Sequence, residues 1–406
     1  MKNIIIIGGG ISGMIAAIHA KTDTNKVILL ERNNSCGKKI LITGNGRCNY
    51  TNQDQSIIHY HSSSNYYLGD IISQNNISSF LAFYKKIGII PKIKNGYYYP
   101  YSNQAVTVQQ ALLREVKAKN ITVNTDTYVD DITTDGSSFK VSTNNGIINA
   151  SIVIVACGGK SYPKLGTDGN GYKLLEKLGH NIVPVVPALT QIKVDENIKD
   201  LAGVRSDVTI TLIEDNKTIK SEMGEVQFTD YGISGICSMQ ISKYISYGVL
   251  NKKLEKIAIN FIPDIAKNKE EFISFIKDNN WLNFEVGSLL DSLLNYKITN
   301  FILKKNRIDG SIRVRNLSDN QFNLLLDSLI NFTLTAIGTN SFDSSQVSAG
   351  GVDLKEVNLA TMESTIIPNL YIVGEMLDVD GDCGGYNITF ASISGMLAGM
   401  AVSKND

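Results

Sequence analysis

Cysteine is scarce in this chain and follows no pattern. The five cysteines, Cys36, Cys48, Cys157, Cys237 and Cys383, include no Cys-x-x-C pair and no spacing typical of metal ligands. A disulfide framework is therefore not expected, and this usage favours a reducing, cytoplasmic setting. The four histidines form no ligand set either, so the sequence predicts no metal site.

Net charge and long apolar runs are also lacking. The 39 basic and 39 acidic residues leave a formal net charge of zero, so no field of the whole molecule favours nucleic acid or an anionic membrane. The sequence contains no run of about eighteen apolar residues, and it therefore predicts no transmembrane helix. The apolar run after Lys2 meets three consecutive glycines, which is typical of a strand and turn rather than of a signal peptide.

The N-terminal segment carries the most specific pattern. A β-branched run is followed by Gly8, Gly10 and Gly13 in G-x-G-x-x-G spacing, then by an apolar helical stretch, a second strand and Glu31. A dinucleotide pyrophosphate needs this geometry, because the glycines permit a tight turn, close approach of the phosphates and close helix packing. The helix N-terminus favours anions, and Glu31 can accept hydrogen bonds from ribose hydroxyls. The pattern predicts a dinucleotide site; the alternative is a glycine-rich turn in an ordinary α/β unit.

Apolar periodicity changes along the chain, which indicates more than one domain. The chain of 406 residues is too long for one small hydrophobic core, so two or three domains are expected. Residues 191–263 alternate as in an antiparallel sheet, whereas residues 268–330 show helical spacing. No second glycine-rich motif follows an apolar strand, so a nicotinamide cofactor has no Rossmann domain of its own.

Several segments resemble known flavoproteins. An early β-meander, an apolar strand ending in a double glycine, and a late strand followed by Gly374-Glu375 resemble the glutathione-reductase-like flavoproteins. The match is closer to the HI0933-like flavoproteins, over blocks that span nearly the whole chain in order. These blocks are residues 37–49 (Gly-Lys-Lys-Ile-Leu-Ile-Thr-Gly-Asn-Gly-Arg-Cys-Asn), 51–52 (Thr-Asn), 228–235 (Phe-Thr-Asp-Tyr-Gly-Ile-Ser-Gly), 350–358 (Gly-Gly-Val-Asp-Leu-Lys-Glu-Val-Asn) and 374–387 (Gly-Glu-Met-Leu-Asp-Val-Asp-Gly-Asp-Cys-Gly-Gly-Tyr-Asn). Two departures are Cys157, where relatives usually carry Thr, and Asn45, where Gly is common.

The resemblance implies FAD as cofactor and an α/β fold with a discontinuous domain. Residues 1–190 and 336–406 are expected to form a Rossmann-like FAD-binding domain of the glutathione-reductase type. Residues 191–335 are expected to form an inserted domain, β-rich over 191–263 and helical over 268–330, that serves as a lid or substrate platform.

Candidate FAD-binding residues come from the glycine motif and from the matched blocks. They are Gly8, Gly10, Ser12, Gly13, Glu31, Arg32, Lys39, Thr43, Gly46, Arg47, Cys48, Asn49, Val129, Ala156, Gly158, Gly159, Gly374, Glu375, Asp380, Gly381, Gly385, Tyr386 and Asn387.

Roles for the loop residues stay open between function and structure. Arg47 is a candidate for the pyrophosphate or a reduced-flavin anion, and Asn49 for ring or ribityl atoms; the alternative is a structural loop in which Arg47 pairs with a surface carboxylate. Lys39 can pair with phosphate or remain solvated. Cys48 is a weak catalytic candidate as a proton donor or redox thiol, since reduction of a C=C bond needs a hydride and a proton. A buried inert cysteine is the favoured alternative.

The C-terminal motif at residues 378–382 superficially resembles a calcium loop. Cys383 stands at the sixth position and Thr389 at the twelfth, so calcium is rejected. The neighbouring glycines suggest backbone packed against the isoalloxazine ring, and a helix that starts near Asn387 can stabilise negative charge there. Tyr386 is the second weak catalytic candidate; a helix cap and a packed ring are the alternative. His59 and His61 are interpreted as solvated loop residues.

We expect an FAD-dependent oxidoreductase that uses NAD(P)H, as a transient donor in the same site, to reduce a conjugated C=C bond. The favoured substrate is a uridine in 23S ribosomal RNA, giving dihydrouridine. Residues 297–315 support an RNA substrate weakly, because this segment contains six basic residues and one acidic residue. The alternatives are a small metabolite (an enone or an amine) and a non-catalytic, flavin-stabilised RNA-binding protein. The alternative for the basic segment is a solvated helix face.

Overall fold

The protein, described here by a computed structural model over residues 2–64, 66–253 and 255–404, divides into two compact units. The first comprises Met1–Val186 and Ser345–Asp406, and the second comprises Pro187–Ser344. The strands in chain order are β1 (Lys2–Ile7), β2 (Asn25–Leu30), β3 (Thr51–Asn52), β4 (Tyr60–His61), β5 (Pro91–Lys94), β6 (Tyr97–Pro100), β7 (Thr122–Asn124), β8 (Val129–Thr134), β9 (Phe139–Thr143), β10 (Gly146–Ala150), β11 (Ile152–Val155), β12 (Ile182–Ala188), β13 (Ile192–Val194), β14 (Arg205–Glu214), β15 (Lys217–Phe228), β16 (Gly232–Ser234), β17 (Glu255–Asn260), β18 (Phe332–Thr339), β19 (Val347–Val352), β20 (Val357–Asn358), β21 (Glu363–Ser364), β22 (Leu370–Ile372) and β23 (Asp380–Gly381). The α-helices are α1 (Ile11–Ala20), α2 (Gln74–Lys86), α3 (Ala105–Ala118), α4 (Asn170–Lys177), α5 (Ile236–Leu250), α6 (Lys269–Asp278), α7 (Val286–Leu293), α8 (Tyr296–Asn306), α9 (Asp319–Ile330) and α10 (Tyr386–Lys404).

A seven-stranded sheet organises the first unit, in the order β20-β21-β22-β11-β1-β2-β7. The strands from β22 to β7 pair in parallel. Residues 4–7 of β1 and all of β11 are continuous β-branched runs with both faces buried, as expected for a parallel sheet covered on both sides. The predicted β-meander is confirmed as the antiparallel sheet β8-β9-β10. The predicted Rossmann-like α/β fold is therefore confirmed.

Helix α10 joins the end of the chain to its beginning. A Cβ on Gly395 of α10 would lie 2.4 Å from the carbonyl oxygen of Ser12 in α1, so the two helices pack backbone to backbone. Distant segments thus complete one core around the sheet. Within the described part of the chain, no helix is both long enough and apolar enough to cross a membrane.

The second unit is built on a closed barrel, β13-β16-β15-β14-β17-β18. Val208, Ile210 and Leu212 alternate along β14 and are fully buried, so the period-two pattern found in the sequence marks the barrel interior. The predicted insertion at 191–335 lies within this unit. Its later boundary falls beyond 335, because β18 pairs with β17 and β13 and extends to Thr339. Helix α5 also interrupts the region expected to be β-rich.

Candidate cofactor site

The candidate site lies at the carboxyl edge of the seven-stranded sheet. The chain runs from β1 to β2 and β7 on one side, then returns to β11 and β22 on the other. The strand order therefore reverses between β1 and β11, which is where open α/β sheets bind ligands. The segments beyond the parallel strands begin at Gly8, Glu31, Ala156 and Val373, and they bring the predicted residues together.

The three motif glycines have different environments. A Cβ on Gly8, whose φ is +108°, would lie 2.3 Å from the carbonyl oxygen of Ala156. A Cβ on Gly13 would lie 1.9 Å from the carbonyl oxygen of Gly8, so α1 packs directly on the turn. A Cβ on Gly10 would meet no protein atom within 4 Å. Packing therefore explains Gly8 and Gly13, whereas protein packing gives no reason for glycine at position 10.

Glu31 is fixed beside this turn. Its Oε2 accepts a hydrogen bond from the Gly9 amide at 2.8 Å, and its Oε1 accepts one from the Asn33 amide at 2.8 Å. Asn33 Nδ2 also donates to Oε1 at 2.7 Å, so about one of the four acceptor sites of the carboxylate remains for a ribose hydroxyl. Arg32, the next predicted residue, pairs with Asp168 at 2.6 Å.

Val129 lies beside the Arg32 cluster at the same edge of the sheet. The Val129 carbonyl accepts a hydrogen bond from Asn170 Nδ2 at 3.0 Å, and the Arg32 guanidinium lies 4.8 Å from the centroid of the neighbouring Tyr128 ring. The Arg32–Asp168 pair completes this cluster. These residues lie at the end of β2 and at the start of β8 and α4, and they adjoin the end of β11, because a Cβ on Gly171 of α4 would lie 2.7 Å from the Cys157 Cβ.

The two ends of the first unit meet through Lys39 and Glu375. Lys39 Nζ donates to Glu375 Oε2 at 2.9 Å, although 336 positions separate them. Glu375 Oε1 accepts from the Ser348 amide at 2.8 Å, and a Cβ on Gly159 would lie 2.6 Å from the same oxygen. Lys39 is thus paired with a carboxylate, which differs from both expectations for it, a phosphate partner and full solvation.

We expect Lys39→Met to act on stability before it acts on the cofactor. Loss of the counter-ion leaves the partly buried Glu375 carboxylate uncompensated, so the free energy of unfolding of FAD-free protein should fall by about 1–2 kcal/mol. Urea unfolding followed by circular dichroism measures this change, and Lys38→Met is the matched control. A weaker FAD affinity with unchanged stability would show instead that Lys39 serves a phosphate.

The other predicted C-terminal contacts lie next to α1. The Gly374 amide donates to Ser394 Oγ at 3.0 Å, and a Cβ on Gly374 would lie 2.7 Å from Ser12 Oγ. Gly158 follows β11 at the same edge, with a Cβ position 3.0 Å from the Thr167 side chain. Ser12 and Gly374 therefore lie together beside the glycine turn.

The loop at residues 43–47 closes on itself. Thr43 Oγ1 donates to the Ile40 carbonyl at 2.7 Å, and the Gly46 amide donates to the Thr43 carbonyl at 3.1 Å. The Arg47 guanidinium lies 5.1 Å from the centroid of the Tyr99 ring, and its Nε donates to Gly44. Arg47 therefore packs on an aromatic ring of the first unit, whereas the structural alternative placed it on a surface carboxylate.

The structure does not favour Cys48 as a proton donor. Its side chain is fully buried, and burial raises the pKa of the Cys48 thiol to about 12. Asn49 is also engaged with protein, since its amide nitrogen can donate to the Thr51 carbonyl at 2.8 Å and the Tyr98 carbonyl at 3.1 Å. Both residues stabilise the loop and its junction with β3.

A compact turn precedes α10. The Gly381 amide donates to Asn387 Oδ1, and Asn387 Nδ2 donates back to the Gly381 carbonyl, both at 2.8 Å. Gly385 has a φ of +94°, and a Cβ there would lie 2.6 Å from the Thr51 amide nitrogen. Tyr386 is buried, which raises the pKa of its phenol, so the ring is a poor acid near neutral pH.

This turn and the glycine motif are connected through α10. The helix begins at Tyr386 and contacts Ser12 at Gly395, nine residues later, which corresponds to about 13 Å along the axis. A dinucleotide can therefore place its pyrophosphate at α1 and its ring system at the turn before α10.

Comparison with known proteins agrees with this geometry. The family model described as HI0933-like protein Rossmann domain matches residues 2–401. The chain belongs to the HI0933-like family. It is 36% identical over 409 residues to the 3-dehydro-bile acid delta(4,6)-reductase of Clostridium scindens, with 100% of both chains covered. It is 30% identical over 392 residues to the ribosomal RNA dihydrouridine synthase of Escherichia coli, covering 95% of this chain and 94% of the relative. The Haemophilus influenzae protein of that name is 28% identical over 407 residues, covering 98% of each.

Two departures from the HI0933-like pattern have simple settings in the structure. Asn45 has a φ of +54°, a left-handed conformation that glycine adopts freely and asparagine tolerates. Cys157 follows β11 at the site edge, with Sγ 3.6 Å from the Ile7 carbonyl oxygen. Burial raises the pKa of this thiol to about 12, so it is a neutral group. The family is one of FAD-dependent oxidoreductases, and the enzyme class predicted from the sequence is confirmed.

One group of residues in this HI0933-like site differs from the prediction made from the sequence. His59 and His61 are half-buried, and both bond to Asp382 rather than facing solvent alone. Asp378 similarly accepts hydrogen bonds from the Ser63 amide at 3.0 Å and from Ser62 Oγ at 3.1 Å. No periodic signal marks this pairing in the sequence, because the antiparallel strands β4 and β23 have two residues each. Asp380 belongs to that pairing and is buried. Among the residues described, no group of three His, Cys, Asp or Glu side chains could hold a metal ion.

Proposed function

We propose that this protein uses NAD(P)H to reduce a C=C bond conjugated with a carbonyl group, with FAD bound at the carboxyl edge of the seven-stranded sheet. The observation that carries the proposal is the placement of three features: the turn at Gly10, the Ser12–Gly374 contact and the turn before α10. They are connected by the packing of α1 on α10. Family membership supports the flavin, and the 36% identical reductase supports the reaction class.

The residues on the page fit such a cofactor. Gly10 and Ser12 would hold the pyrophosphate at the N-terminus of α1, where amide groups and the helix dipole favour anions. Glu31 would accept a hydrogen bond from a ribose hydroxyl, and the turn from Gly381 to Asn387 would hold the ring system. FAD, when bound, supplies reversible hydride transfer. The protein's own contribution is to fix these groups and to shield the ring with the buried Tyr386 side chain.

NAD(P)H is proposed to enter the same site in alternation with the substrate. The sequence has no second strand-linked G-x-G-x-x-G motif that could hold a nicotinamide dinucleotide separately. Alternating use of one flavin face predicts that donor and acceptor compete, so excess NAD(P)H should inhibit turnover competitively with the acceptor.

A small enone is the first candidate for the substrate. The 36% identical relative is named for a bile-acid reductase. Part of the basic segment is already engaged with protein: Lys304 pairs with Asp200 at 3.0 Å, and Lys305 Nζ lies 4.3 Å from the centroid of the Phe332 ring. These contacts reduce the charge available for RNA phosphates, which weakens the substrate favoured from the sequence.

Uridine in ribosomal RNA is the second candidate. Uracil also carries a C=C bond conjugated with a carbonyl, so the same chemistry applies. Arg307, Arg313 and Arg315 remain in the basic segment as charged groups for phosphates, and the relatives at 30% and 28% identity are named for this reaction.

Anaerobic stopped-flow absorbance near 450 nm tests the proposal. We expect NADH or NADPH to bleach the flavin, and a 3-oxo-4,6-dienoic bile acid to restore the absorbance without RNA. Restoration only by 23S ribosomal RNA, with dihydrouridine found by mass spectrometry, would assign the second candidate. A bound flavin that neither nicotinamide bleaches would contradict the enzyme and support a non-catalytic protein.

A further inference from the structure

A continuous chain of hydrogen-bonded acids and imidazoles lies beside the turn before α10. Asp54 Oδ2 is 3.1 Å from His59 Nε2, His59 Nδ1 is 3.0 Å from Asp382 Oδ2, and Asp382 Oδ1 is 2.8 Å from His61 Nε2. The Asp54 side chain is 62% exposed, whereas those of His59, Asp382 and His61 are 22%, 12% and 21% exposed. The chain therefore runs from solvent into a half-buried position.

Three contacts place this chain against the candidate flavin end of the site. Asp382 follows Gly381, and the amide and carbonyl groups of Gly381 both form hydrogen bonds with the Asn387 side chain. The His59 ring stacks on Tyr386, with centroids 4.5 Å apart and planes 19° apart. His61 is the register partner of Asp380 in the β4–β23 pair. The network thus adjoins the turn proposed to hold the ring system.

The two imidazoles differ in what they can donate. Both ring nitrogens of His59 lie within hydrogen-bond distance of carboxylates, those of Asp54 and Asp382, and this arrangement favours the charged form of His59. Burial disfavours that charge, but the hydrogen bonds to Asp382 and Asp54 outweigh it and raise the pKa of His59. His61 uses only Nε2, and its Nδ1 makes no hydrogen bond within residues 2–64, 66–253 and 255–404.

We propose that His61 is the catalytic acid of the reduction, that Asp382 is its positioning residue, and that His59 and Asp54 connect it to solvent protons. This inference rests on the proposed function, because the reduction of a C=C bond needs a proton donor as well as a hydride. Hydride addition to the β-carbon of an enone leaves an electron pair shared by the α-carbon and the carbonyl oxygen. The His61 Nδ1–H bond then breaks and an α C–H bond forms, so the C=C bond is reduced and NAD(P)H is oxidised.

The charges around His61 suit this role. Asp382 faces it directly, and Asp54, Asp378 and Asp380 are the other carboxylates on the segments paired through β4 and β23. Burial opposes ionisation of Asp382, but hydrogen bonds to His61 and His59 prevail and lower the pKa of its carboxyl. The Asp382 carboxylate holds the His61 ring by its Nε2 atom. The other nitrogen is then the donor.

Separate half-reactions of the FAD-loaded protein test the assignment. His61→Gln should be bleached by NADPH at nearly the wild-type rate, whereas its reoxidation by the bile-acid dienone should slow by about 100-fold or more. His19→Gln, on α1 beside Phe83, is the matched control and should change neither half-reaction. Imidazole added to His61→Ala should restore part of the rate.

Histidine titration by NMR supplies a readout without turnover. The chain has four histidines, and burial lowers the pKa of His19 and His180, which makes them internal references. We expect His59 to titrate above both, and Asp382→Asn to lower its midpoint by about one pH unit. Wild-type protein that no acceptor reoxidises would overturn the proposed function and this inference together. Wild-type turnover with an equally fast His61→Gln variant, or a His59 midpoint unaffected by Asp382→Asn, would overturn the inference alone.

Discussion

Gly10→Val should yield a folded protein that has lost its flavin. A Cβ at position 10 meets no protein atom within 4 Å, and the backbone φ of −74° suits any residue, so valine causes no clash within the chain. It does project where the phosphates approach the start of α1. We expect FAD affinity to fall about 100-fold, or ~2.8 kcal/mol. The free energy of unfolding of the FAD-free protein should change by less than about 1 kcal/mol. FAD titration by absorbance and urea unfolding by circular dichroism measure the two effects.

Gly13→Val separates loss of the cofactor from loss of the fold. Its Cβ would lie 1.9 Å from the carbonyl oxygen of Gly8, so the helix must move away from the turn. Gly13→Val should be unstable both with and without FAD. Gly10→Val should be as stable as the wild type when both proteins are free of FAD. A fully yellow Gly10→Val protein would contradict the placement of the pyrophosphate.

Stability of the second unit should fall by about 2–3 kcal/mol between pH 4.5 and pH 7 because of Glu255. This residue of β17 is 2% exposed, and its Oε2 has no hydrogen-bond partner among the described residues. Burial, helped by the charge of Glu214 and opposed by Lys253, raises the pKa of Glu255 from 4.5 to about 7. The folded state therefore holds a proton that the unfolded state has released in this range. Stability is full below pH 4.5 and reaches its lower plateau above pH 7.

Glu255→Gln should remove this pH dependence, because the amide carries no titrating proton. We expect the variant to match wild type near pH 4.5 and to exceed it at pH 8. The single tryptophan, Trp281, lies in the same unit, so its fluorescence during urea unfolding reports the change. Two matched variants shift the midpoint in opposite directions: Glu214→Gln downward and Lys253→Met upward. Equal stability of wild type and Glu255→Gln at every pH would contradict a neutral buried carboxyl.

Local patterns made the first part of the fold predictable from sequence. The β1–turn–α1 unit, Glu31 and the meander depend on neighbours within about thirty positions, where periodicity and glycine placement suffice. Strand β18 and helix α5 were harder, because strand pairing in the barrel carried the chain past position 335 and a local helix formed inside a sheet region.

Pairings across the whole chain could not be predicted from residue type. Lys39 resembled a phosphate ligand, and only the fold brings it to Glu375. His59 and His61 resembled solvated loop residues because their partner, Asp382, lies more than 300 positions later. Sequence spacing identifies a motif, but the partner of a charged side chain depends on which distant strands pair.

The central claim is that one FAD molecule binds between the two ends of this chain. The most direct measurement is the absorbance spectrum of purified wild-type protein after incubation with FAD and gel filtration, followed by identification of the released cofactor. The account predicts one FAD per chain in the wild type and none in Gly10→Val. Wild-type protein that remains colourless after this treatment would contradict it.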